Sequence, residues 1–135
     1  RSAGPREISE ELGLTVSFPE LVPVGRRVFT YTFEPGILEY EFQDIFLLPR
    51  DFEPGELKLQ KEELDGVIEM EVEQGIALFS GTIPDIRISL LTSSGSHDLI
   101  TVAADDFVPC LDDYYLKLLQ LARRYLNGER DLMLI

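Results

Sequence analysis

The residues best placed for chemistry form one string, Arg6-Glu7-Ile8-Ser9-Glu10-Glu11-Leu12-Gly13-Leu14. On a helix, positions i, i+3 and i+4 share a face, which brings the carboxylates of Glu7, Glu10 and Glu11 together. Such a group repels itself unless positive charge sits among its oxygens. Hard divalent cations such as Mg2+ take oxygen ligands of this kind and often share them with substrate phosphates. Ile8 and Leu12 stand four apart and would anchor the opposite face, with Gly13 as the stop. The plain alternative for any three glutamates so spaced is a solvated acidic helix face.

A second acidic pair lies in Leu38-Glu39-Tyr40-Glu41-Phe42. In a strand, residues two apart point the same way, so Glu39 and Glu41 share one face while Tyr40 and Phe42 take the other. That face is either ordinary wet strand alternation or a contributor to the acidic site. Glu62 and Glu63 sit in a polar stretch, as a solvated acidic run or as a source of a general base. Arg26 and Arg27 are candidates for substrate phosphate, but neighbours on a strand face opposite ways, so at most one of them reaches it. His97, the one histidine, falls in a Ser-rich turn and is expected to be exposed. Cys110 has no charged partner nearby in sequence and reads as a packed thiol. Ser96-His97-Asp98 is contiguous, whereas catalytic triads meet in space, so it earns no catalytic role.

The first string fits Arg-Glu-U-x-Glu-Glu-x-Gly-U, with U a bulky aliphatic, throughout Arg6 to Leu14. This is the second half of the Nudix box, and the chain resembles the Nudix hydrolases over Arg1 to roughly Gly81. The resemblance implies a hydrolase of a nucleoside diphosphate linked to another moiety, dependent on Mg2+ or Mn2+. It implies Glu10 and Glu11 as metal ligands, with Glu7 as a further ligand or an aid to one, and Glu39 added from the strand. Arg6 would hold a glutamate by charge-assisted hydrogen bonds, and Glu41 or Glu63 would accept a proton from the attacking water. The box also has a glycine and a glutamate upstream, whose positions fall before Arg1, so the chain is expected to be a Nudix-like domain truncated at its amino terminus. The Glu39–Glu41 segment is similar to a strand of the isopentenyl-diphosphate isomerases, Nudix relatives with a Glu-x-Glu pair at their metal site. Those enzymes also use histidines and a nucleophilic cysteine from the amino-terminal part. Hydrolysis is therefore the expected activity, with an isomerase-like protein or a catalytically impaired binding module as alternatives.

These side chains need a frame. Pro5 to Leu12 is predicted as a short helix, since Pro5 suits a first turn. Leu21 to Phe33 and Ile37 to Leu48 are rich in Val, Phe, Tyr and Ile around Glu34-Pro35-Gly36, which predicts an antiparallel hairpin. Phe52 to Lys61 reads as a loop, Gly66 to Met70 as a strand, and Val72 to Phe79 as a helix ending at Gly81. Ile86 to Leu91 and Leu99 to Ala103 predict a second hairpin around Ser93-Ser94-Gly95-Ser96. Leu111, Tyr115, Leu118, Leu119, Ala122 and Leu126 recur at helical spacing, with Asp105 or Asp106 as the expected cap and Asn127-Gly128 as the end. The expected fold class is α+β, an α/β/α sandwich with a Nudix-like mixed sheet flanked by helices and its amino-terminal strands missing.

At 135 residues the chain suits a single domain, and 44% hydrophobic residues suffice for its core. Against 12 basic residues stand 25 acidic ones, and the formal charge of −13 repels polyanions, so no nucleic-acid polymer is expected as a partner. No apolar run approaches the roughly 20 residues that cross a bilayer, so no membrane partner is expected. One cysteine excludes an internal disulfide and fits a reducing, cytoplasmic setting. Strand edges left open by the missing part would favour a homodimer.

Overall fold

The computed structural model describes residues 14, 17–51, 57–58, 66–108, 110 and 113–133, with the backbone alone described at 18, 29–34, 37–39 and 41. Among the described residues, two antiparallel sheets and two α-helices make up a mixed α+β architecture. Strands β1 (Val22–Glu34) and β2 (Ile37–Leu47) form a two-stranded ribbon joined through Pro35-Gly36. Strands β3 (Gly66–Glu69), β4 (Ile86–Thr92) and β5 (His97–Val102) form the second sheet in the order β3-β4-β5. Both hairpins and the short strand Gly66 to Met70 follow the predicted pattern. The mixed sheet does not: every strand pairing among the described residues is antiparallel.

Helix α1 (Val72–Phe79) joins β3 to β4, and α2 (Tyr114–Leu126) is the last described helix. Leu78 of α1 is buried with Ile86, Ile88 and Val102 on one face of the β3–β4–β5 sheet. α2 serves two neighbours from adjacent stripes. Tyr115 stacks on Phe79 at 5.1 Å and Leu119 lies over Gly75, both on α1. Leu121 and Tyr125 pack with Val22 and Val24 of β1 and with Leu132. The expected apolar stripe of this helix is therefore only partly right, since Leu126 is 74% exposed and Leu121 only 3%.

The helix cap also differs from expectation. Asp105 and Asp106 lie in a separate 3-10 turn, Ala104–Asp106, where the Asp106 carboxylate accepts the Ala103 N–H at 2.8 Å. The carboxylate is thus spent on that turn, and α2 starts after Asp113, whose φ is +52°.

A bulge in β1 sets what the ribbon presents. Pairing runs Pro23 with Phe46 and then Gly25 with Ile45, leaving Val24 as the extra residue. Gly25 takes φ +142°, a conformation that side-chain-bearing residues rarely adopt. Val24, the bulged residue itself, points into the core at 1% exposure; after it, Arg27 points inward at 9% while Arg26 and Val28 are exposed.

Candidate functional site

The residues of the first acidic string, Arg6, Glu7, Glu10 and Glu11, lie outside the described residues with the predicted helix Pro5 to Leu12, as do Glu62, Glu63 and all of the predicted loop but Leu57 and Lys58. Leu14, which ends the string, is buried with Leu21, and Phe46, Leu48 and Leu57 pack against the pair. The end of the string is therefore fixed to the carboxy-terminal end of β2. Glu39 and Glu41 stand earlier on that strand, their backbones opposite Tyr31 and Phe29. From Glu41 to Phe46 is about 17 Å of strand.

The two arginines are split by the strand, and each has a protein partner. Arg26 Nε donates to Asp44 Oδ1 at 2.8 Å on the exposed face, and this contact with the carboxylate raises its pKa further. Arg27 is buried, its Nη1 donating to Gln43 Oε1 at 2.8 Å and its guanidinium 4.1 Å above the Tyr114 ring. Cys110 is half-buried, with Val108 O 3.5 Å from its Sγ. Tyr115 Oη donates to the same carbonyl at 2.8 Å, and burial, then contact with Cys110, pushes the phenol above its ordinary range. His97 is exposed, as expected, but it begins β5 instead of sitting in the turn.

Sequence reasoning did not reach the cleft on the outer face of the second sheet. Val67 pairs with Leu91 and Leu91 with His97, so the three form a row across the sheet. Glu69 and Ser89 form the next row on the same face. Arg50, Asp51 and Leu57 line the other side, and the space between measures about 410 Å³. Arg50 is held by Glu20, its Nη2 donating to Glu20 Oε2 at 2.6 Å. The alternation of Val67 with Glu69 and of Ser89 with Leu91 is the signal available in the sequence, but it does not say what lies opposite.

Among the described residues, no three His, Cys, Asp or Glu side chains gather to hold a metal ion, and the proposed metal ligands fall outside that group or are described by backbone alone. No described helix is long and apolar enough to cross a membrane. No family model, curated protein or solved structure matches this chain.

Proposed function

We propose that this chain is part of a Nudix-type hydrolase that cleaves a nucleoside diphosphate linked to another moiety. The observation that carries the reading is the unbroken match of Arg6 to Leu14 to the second half of the Nudix box. Two further features support it. Leu14 is buried at the end of β2, as a box that packs its apolar face on a sheet requires. The α+β architecture also supplies helices and antiparallel strands of the kind a Nudix-like sandwich uses.

The donor set fits a hard divalent cation, because Glu7, Glu10 and Glu11 offer only oxygens. Mg2+ or Mn2+, when bound, neutralises diphosphate charge and lowers the pKa of water. Glu39 adds a carboxylate from β2, and Arg6 holds a glutamate in position. Glu41 or Glu63 would take the proton from the water that attacks phosphorus, as the bridging P–O bond breaks and the other phosphate leaves with that oxygen.

The test follows release of phosphorylated products from a panel of nucleoside diphosphate derivatives with Mg2+ or Mn2+. Glu11→Gln keeps helix propensity while removing one ligand charge, and its activity is expected to fall on the order of a hundredfold. An inert wild type across the panel, or a fully active Glu11→Gln, overturns the reading in favour of a binding module.

A further inference from the structure

Leu91 is 8% exposed although it stands on the face of β4 opposite the buried Ile86 and Ile88. The outer face of the sheet is thus covered at that point, and Arg50, Asp51 and Leu57 stand across from it. The covering leaves about 410 Å³ open, within the range of small-molecule sites, roughly 300 to 1,000 Å³. Val67, Leu91 and Leu57 supply apolar surface, and the imidazole of His97 continues the row. The arrangement suits a flat ring laid on the sheet, since imidazole is one of the side chains on which bases stack.

The polar groups define the ring's chemistry. Glu69 and Asp51 are exposed carboxylates, which in their ionised form only accept hydrogen bonds. The Arg50 guanidinium donates to the Glu20 carboxylate, which offsets its charge locally. In a chain of net charge −13, such a cleft repels phosphates and carboxylates. It favours a neutral ligand rich in N–H donors, with Ser89 able to donate or accept beside it.

We infer that this cleft binds a neutral nitrogen heterocycle of the nucleobase class through its N–H edge, with Glu69 or Asp51 as acceptor. The choice of a nucleobase among such rings rests on the proposed function; the cleft would then be where the base of the substrate is read. Guanine is the base expected to bind most strongly, because its adjacent ring and exocyclic N–H groups meet both oxygens of one carboxylate.

The experiment titrates guanosine, adenosine, cytidine and uridine into the protein without divalent metal, following the methyl resonances of Val67 and Leu91. Guanosine is expected to shift them most and uridine least. Glu69→Gln or Asp51→Asn, both at exposed positions, should weaken guanosine at least about tenfold. Ser89→Leu narrows the cleft and should weaken all four nucleosides, with circular dichroism confirming the fold. Absence of shifts with every nucleoside overturns the inference. So does guanosine affinity unchanged in both carboxylate variants, or uridine binding more tightly than guanosine. Nucleoside binding by a protein that hydrolyses no diphosphate supports the cleft and defeats the proposed function. Hydrolysis without nucleoside binding does the reverse.

Discussion

Arg27 shows how a charged side chain becomes part of a core. Taking a guanidinium out of water is costly unless its edge and faces are used. Here Gln43 accepts from Nη1 and the Tyr114 ring lies beneath the plane. Lysine keeps the charge but cannot fill both contacts, because its ammonium is a compact point charge without a flat face. Arg27→Lys is expected to cost about 1–2 kcal/mol in urea unfolding. A midpoint unchanged from wild type would mean that charge alone matters there. Tyr115 gives a pH prediction with a definite sign. Its phenol is raised above the ordinary value of 10.0, first by burial and then by contact with Cys110, so the folded state holds the proton more tightly than the unfolded chain. This stabilisation is fully present below pH of about 10 and is lost as pH rises through the higher folded value. Tyr115→Phe should lose about 1 kcal/mol at neutral pH with its bond to Val108 O, yet lose less further stability than wild type above pH of about 10. An alkaline limb as steep as wild type would assign the pH dependence to another group.

The contact between α1 and α2 passes through Gly75. A Cβ there would come 2.6 Å from Met70 Sδ and 2.7 Å from Leu119 Cδ1. Alanine gains about 1 kcal/mol of helix propensity, but overpacking costs about 1–3 kcal/mol, so Gly75→Ala should be mildly destabilising. In a Leu119→Ala background the obstruction shrinks and the propensity gain should emerge. A double-mutant cycle is expected to show coupling of about 1 kcal/mol or more, and additive effects would mean that Leu119 yields freely and is not the obstruction. This helix pair also shows where sequence reasoning stops. The hairpins were legible because alternating apolar residues flank Pro35-Gly36 and Ser94-Gly95, both local signals. The face of α2 was not fully legible, since Tyr115 and Leu119 serve α1 while Leu121 and Tyr125 serve the ribbon. A helix with two partners carries two overlapping stripes, and periodicity alone chose Leu126 instead of Leu121. The inward turn of Arg27 depends on the bulge at Val24, which no alternation signals. The acidic string was legible as a pattern because its residues are contiguous. The cleft was not, because it draws on the chain that follows β2 and on three strands of the other sheet.

At the scale of the whole molecule, a charge of −13 on 135 residues works against the compact state through self-repulsion. NaCl should therefore raise the melting temperature modestly, as the screening length falls to about 10 Å at 0.1 M. A cation held, as proposed, by Glu7, Glu10 and Glu11 would add something that screening cannot. Binding to the folded state alone contributes RT ln(1 + [L]/Kd), about 1.4 kcal/mol at tenfold excess over Kd. For a domain of this size that corresponds to roughly 4 °C beyond NaCl of equal ionic strength. Glu11→Gln separates the two effects by sign. Without divalent metal it removes one of several mutually repelling carboxylates, so the variant should melt at or above the wild-type temperature. With MgCl2 it lacks a ligand, so it should melt below wild type. That crossover is read by melting both proteins in EDTA, in NaCl and in MgCl2 at matched ionic strength. Parallel behaviour of the two proteins in all three conditions would mean that the acidic string is a solvated helix face, and the diphosphate-hydrolase proposal would lose its metal.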